Sequence, residues 1–148
     1  MKTPRNLGLA AVVAFAISHF LPAYGDGSGF ACFGFCWNAF LGHDIDFLSG
    51  GWFYYSGFVI SNILFIGLAA ALFVTKKSRR LRSVVSFVFF LHVLSWWVLH
   101  VLQPPSQITE IKIGYYVWLI AYGLLVAACL WKEPAESPGS IPLAPSVE

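Results

Sequence analysis

The chain has 148 residues, of which 58% are hydrophobic, 18% aromatic and only 11% charged, with a formal net charge of +2. Soluble globular domains carry about 25% charged residues, so this composition excludes an ordinary soluble domain. Four apolar runs without Asp, Glu, Lys or Arg are long enough to cross about 30 Å of hydrocarbon as α-helices. They lie at residues 6–24, 52–75, 83–103 and 113–131.

The connections between these runs predict a single all-α membrane domain over residues 1–131. Seven residues separate the second run from the third, and nine separate the third from the fourth. Connections this short make consecutive helices antiparallel neighbours, so we expect four transmembrane helices in an up-down-up-down bundle. Residues 132–148 are rich in Pro and Ser, and we expect them to form a disordered cytoplasmic tail.

The first run is interpreted as a retained transmembrane helix. It follows Lys2 and Arg5, and Ala23 and Gly25 offer small residues at the spacing of a signal-peptide cleavage site. A cleaved signal peptide over residues 1–25 is therefore the alternative. The run is longer than the apolar region of a usual signal peptide and contains His19, and both features favour the retained helix.

Basic residues predict the orientation, because Lys and Arg close to helix ends stay on the cytoplasmic side. Four spans place both termini on one side, which then holds eight of the nine cations, five of them within residues 76–82. Lys112 alone lies on the other side. We therefore expect cytoplasmic termini, an external loop at residues 25–51, and a location in a bacterial inner (plasma) membrane.

Small residues and one buried amide are the candidates for helix packing. Membrane helices associate through close approach at small side chains and through hydrogen bonds between helices. We expect Asn62, near the middle of the second run, to bond to another helix or to a backbone carbonyl; a role in a ligand path is the alternative. The packing candidates are Gly57, Ser61, Asn62, Gly67 and Ala71 in the second run, and Gly123 and Ala127 in the fourth.

Histidines in the first and third runs are the candidate cofactor ligands. His92 and His100 share a polar helical face about 140° wide, and His19 lies at a depth similar to that of His100. Ionisable side chains within a span usually face the bundle interior or a water-filled cavity. They are interpreted as structural histidines, as ligands of a haem iron or another macrocycle, or as groups with a proton or metal role.

The external loop is rich in aromatic residues and contains two cysteines. Phe33, Trp37 and Phe40 follow the i, i+4, i+7 spacing of a short amphipathic helix, with these rings at the outer lipid interface. Cys32 and Cys36 form the disulfide candidate in an oxidising compartment. Cysteines at i and i+4 of a regular helix rarely meet disulfide geometry, so free thiols and a redox or metal function are the alternatives.

No serine-nucleophile motif, phosphate-binding loop or catalytic carboxylate pair occurs in the sequence. We therefore expect a multi-pass membrane protein without evident catalytic machinery, an accessory, assembly or scaffold component of a membrane complex. Its partners would be the lipid bilayer and another protein or a second copy, and not a nucleic acid. The first alternative is a redox subunit that binds haem or another macrocycle through His19, His92 or His100. The second is thiol–disulfide exchange at Cys32 and Cys36.

Overall fold

The computed structural model describes residues 4–43, 45–74, 79–102 and 110–131. In these residues the chain forms five helices and two short antiparallel strands. The helices are α1 (Pro4–Phe20), α2 (Gly29–Phe40), α3 (Gly50–Val74), α4 (Arg79–Val101) and α5 (Ile113–Leu130), and the strands are β1 (Pro22–Tyr24) and β2 (Gly27–Ser28). The predicted tail at residues 132–148 lies outside the described residues.

Three of these helices are long and apolar enough to cross a membrane. The spans are Gly50–Val74, Arg80–Leu99 and Ile113–Leu130, in α3, α4 and α5. Large apolar side chains are exposed along all three helices, for example Ile63, Val88 and Ile120. Such side chains suit a lipid environment, and the protein is a helical membrane protein, as its composition indicates.

α1 ends at Phe20, four residues before the limit that the apolar run predicts. Pro22 explains the difference, because proline has no N–H and disfavours the helical conformation of the residue before it, Leu21. Pro22–Tyr24 instead form β1. With 17 residues α1 is about 25 Å long, and it is not among the three helices with the length and composition of a span. The four-span bundle stays a prediction.

α1 packs chiefly along α5, and the two helices run in opposite directions. Gly114, at the start of α5, lies against the carbonyl oxygens of Leu21 and Pro22, just beyond the end of α1. A Cβ atom at Gly114 would lie 2.6 Å from the Pro22 oxygen. Only glycine permits this approach of backbone to backbone.

α3 also contacts α1 and runs opposite to it. The rings of Phe15 in α1 and Phe65 in α3 are stacked with their centroids 4.1 Å apart. Gly8, near the start of α1, faces the side chain of Leu72 near the end of α3. These two contacts fix the relative direction of the helices.

α4 packs against α3 and α5. The Ser83 hydroxyl donates a hydrogen bond to the Cys129 carbonyl at 3.0 Å, and the Tyr115 hydroxyl donates one to the Val93 carbonyl at 2.8 Å. α4 and α5 therefore contact each other from one end to the other. The main cluster of buried residues lies where the four long helices meet and contains Ala11, Phe65, Ala69, Val93, Ala121, Tyr122, Leu125 and Cys129.

The two strands lie at one end of the molecule, which we call the hairpin end; α1 ends there, and α3 and α5 begin there. β1 pairs with β2 on one side and with the residues before α5 on the other. The Gly25 amide donates to the Glu110 carbonyl at 2.8 Å, and the Lys112 amide donates to the Ala23 carbonyl at 3.0 Å. The segment between α1 and α2 is thus tied to the start of α5.

The opposite end carries the basic residues of α4. Arg82 Nη1 donates to the Ala71 carbonyl at 2.8 Å, close to the end of α3. A cation at this position interacts favourably with the negative end of the α3 dipole. α4 begins at Arg79, four residues before the apolar run.

Candidate functional site

A cavity of about 490 Å³ lies at the hairpin end of the helices. It lies beyond the Phe15–Phe65 stack, since its lining includes Ser18 and His19 of α1 and residues of α3 that precede Phe65. α5 and α4 complete the walls. Most of the lining is aromatic or aliphatic, and the aromatic part includes Tyr55, Phe58, Trp96, Tyr115 and Trp118.

α2 covers the side of the cavity between α1 and α3. It begins at Gly29, whose backbone touches the Ser18 carbonyl so closely that a Cβ atom has no room. The Ser28 hydroxyl caps this start by accepting from the Ala31 amide at 3.2 Å. At the other end of α2, Trp52 Nε1 donates to the Phe40 carbonyl at 3.0 Å. Both ends of α2 are therefore held in place.

His19 lines the cavity with one ring nitrogen already used. Its Nδ1 lies 2.8 Å from the Phe15 carbonyl, and because a carbonyl oxygen only accepts, Nδ1 carries the proton. In the neutral ring Nε2 is then a hydrogen-bond acceptor, and no described residue donates to it. The ring of Phe33 in α2 faces His19 with the centroids 6.3 Å apart.

Asn62 is a nearly buried polar residue of the cavity wall, with only 7% of its surface exposed. Its Oδ1 accepts hydrogen bonds from Trp118 Nε1 at 3.0 Å and from the Tyr122 hydroxyl at 3.4 Å. Both donors belong to α5. The amide thus joins α3 to α5, the type of interhelical bond expected for a polar residue in the middle of a span.

His92 lies outside the cavity, against α3. Its Nε2 is buried without a hydrogen-bond partner in the described part of the chain. A Cβ atom at Gly57 would lie 2.5 Å from this nitrogen, and the rings of Tyr54 and Phe58 pack on the imidazole at 5.5 and 4.6 Å. A metal or haem iron has no room at Nε2 in this arrangement. The predicted ligands His19 and His92 therefore do not share a site, and the side chain of His100 lies outside the described residues.

Cys32 and Cys36 lie one turn apart on α2, and both line the cavity as free thiols. Burial raises the pKa of Cys36 to about 12, and the neighbouring Cys32 adds to the rise. Burial likewise raises the pKa of Cys32. Both groups are therefore protonated at neutral pH and are weak nucleophiles. The disulfide stays a prediction. Cys129, the third thiol, lies in the core.

The three aromatic residues predicted to face lipid from α2 have different surroundings. Phe33 is half-buried and turns toward His19, and Phe40 stacks on Trp52 with the centroids 6.3 Å apart. Trp37 is 40% exposed. The predicted short helix is present, since α2 spans Gly29–Phe40. Its position at a membrane interface stays a prediction.

The residues predicted to pack helices together are divided between the interior and the surface. Gly57 lies under His92, and the buried Ser61 donates its hydroxyl to the Gly57 carbonyl at 2.7 Å. Ala71 is half-buried, and Gly123 lies in ordinary contact with Phe90. Gly67 has no described atom within 4 Å of the position that a Cβ atom would take, and Ala127 is exposed, so neither is buried against another described helix.

Sequence reasoning missed the α5 residues that meet Asn62. Tyr115, Trp118 and Tyr122 occur at i, i+3 and i+7, the spacing of one helix face, and this pattern could have indicated a partner surface for the amide. Among the described residues, no group of three or more His, Cys, Asp or Glu side chains could hold a metal ion. Comparisons of the chain with protein families, with curated proteins and with solved structures found no match.

Proposed function

We propose that the protein is a four-span accessory membrane protein that binds a small apolar molecule in the cavity at its hairpin end, without catalytic chemistry of its own. The observation that carries this proposal is the cavity itself. Its volume of about 490 Å³ falls in the range of small-molecule sites, which have mostly apolar walls and a few fixed polar groups. Its aromatic walls and the amide of Asn62 match that description.

α1 is proposed as the additional span. Its length of about 25 Å approaches the thickness of the hydrocarbon core, and a helix slightly too short is accommodated by local thinning of the bilayer. Leu9, Val13 and Ile17 are exposed on the side that faces away from the other helices. α1 also runs opposite to α3 and α5 along most of their length, which suits a helix at the same depth in the membrane.

The hairpin end is proposed to face the external side of a bacterial inner membrane. Eight of the nine cations in the sequence then lie at the cytoplasmic end, together with both termini. α2 would lie in the outer interface and cover the cavity. Phe30 and Leu41, which are 68% and 52% exposed, support this position because they would otherwise face water.

The proposal is tested with variants whose larger side chains fill the cavity and should displace a bound molecule. Cys32→Phe and Cys36→Phe each place a ring at the cavity wall, whereas Val84→Phe adds a ring on an exposed part of α4 and serves as the control. Each protein is purified in mild detergent, and its bound small molecules are identified by mass spectrometry. We expect the same bound small molecule in the wild type and in the control. Both filled variants should lack it.

A wild-type protein that carries no such molecule, or filled variants that retain it, would contradict the proposal. An absorption spectrum from 350 to 700 nm distinguishes the haem alternative. A Soret band that disappears in His19→Ala would support that alternative instead, since His19 is the candidate histidine that lines the cavity.

A further inference from the structure

Asn62 is a buried amide whose oxygen accepts hydrogen bonds from described residues and whose nitrogen donates none to them. An indole N–H only donates, so the bond from Trp118 identifies which amide atom is the oxygen. Tyr122 donates to the same oxygen. No described residue accepts a hydrogen bond from Asn62 Nδ2, and the accessible surface of the residue lies in the cavity wall. The amide therefore offers its N–H donors to whatever occupies the cavity.

Three other polar residues of the wall, Ser18, His19 and Tyr115, do not compete with Asn62 for a hydrogen-bond acceptor. Ser18 donates its hydroxyl to the Phe15 carbonyl, and Tyr115 donates its own to the Val93 carbonyl. His19 Nε2 is an acceptor in the neutral ring and cannot bind another acceptor. A carbonyl oxygen that enters the cavity can accept a hydrogen bond from Asn62 Nδ2. This bond removes the free-energy cost of leaving that donor without a partner in apolar surroundings.

We propose that the ligand of this cavity carries a carbonyl oxygen on an apolar ring or chain, and that this oxygen accepts a hydrogen bond from Asn62 Nδ2. The inference rests on the proposed function and adds the chemical class of the ligand. Tyr55 is the other lining residue with a hydroxyl that no described residue engages, but it is only half-buried. Asn62 is almost completely buried, so its N–H donors depend more on an acceptor from the ligand than the Tyr55 hydroxyl does.

The experiment compares two probes of the same shape, 9-fluorenone, which has a carbonyl group, and fluorene, which has none. Binding to the full chain in dodecyl maltoside is followed by tryptophan fluorescence, because Trp96 and Trp118 line the cavity. We expect the wild type to bind fluorenone roughly tenfold more tightly than fluorene, the usual effect of one buried hydrogen bond.

Variants assign this preference to one atom. Asn62→Leu removes the donor and should bind both probes with the affinity of fluorene. Tyr122→Phe keeps Asn62 Nδ2 and removes one donor from its oxygen, and Tyr55→Phe removes the other unengaged hydroxyl; both should keep the preference. Fluorene binding by Asn62→Leu reports whether the cavity is intact.

A direct measurement covers the case in which Asn62→Leu does not fold. The sequence contains only three asparagines, Asn6, Asn38 and Asn62, so selective ¹⁵N labelling gives few side-chain amide signals. We expect fluorenone, and not fluorene, to shift the signal of Asn62 downfield.

A lipid ester and a free ketone present the same acceptor, and the membrane environment distinguishes them. If fluorenone binds more weakly in phosphatidylcholine nanodiscs, the lipid ester is the occupant. Unchanged binding identifies a free carbonyl compound. Both outcomes support the hydrogen bond from Asn62 Nδ2. Equal affinities of the two probes for the wild type, or an unshifted Asn62 signal, would overturn the proposed hydrogen bond from Asn62 Nδ2. Neither result would contradict the binding of a small molecule in the cavity. Failure of both probes to bind would overturn the proposed function.

Discussion

The contact of Gly57 with His92 determines how closely α3 and α4 approach. A Cβ atom at Gly57 would lie 2.5 Å from His92 Nε2, which is buried. We expect Gly57→Ala to lower the free energy of unfolding by about 1–3 kcal/mol, as overpacking does in other cores. Thermal unfolding in detergent measures the loss. Gly67→Ala is the matched control, because no atom of the described residues lies within 4 Å of its Cβ position.

A double-mutant cycle tests whether His92 is the cause. In a His92→Ala background the added methyl group of Gly57→Ala has room, so its cost should largely disappear. An equal cost in both backgrounds would show that the helix backbone, and not the imidazole, limits the approach.

Cys36 differs from an ordinary thiol because burial raises its pKa to about 12. The thiolate is the reactive form, so we expect N-ethylmaleimide to alkylate Cys36 at pH 8 roughly a thousandfold more slowly than an exposed cysteine. Its rate should still rise above pH 10, where an exposed thiol with a pKa near 8.5 is already fully ionised. Labelling rates are measured in a chain that also carries Cys32→Ala and Cys129→Ala.

The control for this measurement places a cysteine on the exposed side of the same helix. Asn38→Cys with all three native cysteines replaced should follow the ordinary pH profile, since residue 38 is exposed. The same midpoint for both positions would mean that the cavity wall is open to water, and it would weaken the case for an apolar ligand.

At the level of elements, the hairpin holds α1 and α5 together through backbone hydrogen bonds. The Lys112 amide donates to the Ala23 carbonyl at 3.0 Å, whereas Ile113 is the first residue of α5. Lys112→Pro removes this donor and should lower the melting temperature by several degrees. Ile113→Pro should be tolerated, because proline suits the first position of a helix and Lys112 already has extended backbone angles. Equal effects of the two substitutions would indicate that this bond contributes little.

The elements that could be predicted from the sequence are those that a long apolar run determines by itself. The runs at residues 52–75 and 113–131 match α3 and α5 to within two residues at each end. α2 follows from the spacing of its aromatic residues. α1 ends four residues before its apolar run does, because Pro22 disfavours helix at Leu21 although the hydropathy of the run stays high.

The rotation of each helix about its axis could not be predicted in the same way. Hydropathy varies little around the axes of α3 and α5, so the periodicity of hydrophobic residues does not indicate which face turns inward. Asn62 was expected to bond to another helix or a carbonyl, and its partners prove to be Trp118 and Tyr122. For His92 the rotation of α4 places the imidazole against Gly57, whereas the side chain of His100 lies outside the described residues, so the pairing of His19 with His100 stays a prediction.

At the scale of the whole molecule, the distribution of cations predicts the topology. Fusions to green fluorescent protein should fluoresce after residue 78 and after residue 148, and fusions to alkaline phosphatase should be active after residue 43 and after residue 106. Green fluorescent protein folds in the cytoplasm and alkaline phosphatase outside it. The physical reason is that residues 76–82 carry five cations, whereas the other two connections together carry only Lys112.

Replacing Lys76, Lys77, Arg79 and Arg80 with Gln should give chains of mixed orientation, which the same fusions would detect.

An epitope tag before Met1 decides whether α1 belongs to the mature protein. We expect the tag to remain on the membrane-bound chain, because α1 packs along α5 and contributes Phe15 to the stack on Phe65. Loss of the tag, with a chain that begins near residue 26, would mean that α1 is a cleaved signal peptide. The orientation of α3, α4 and α5 would stay the same. The cavity, however, would lose the wall formed by Ser18 and His19, so the tag experiment also tests whether the proposed binding site exists.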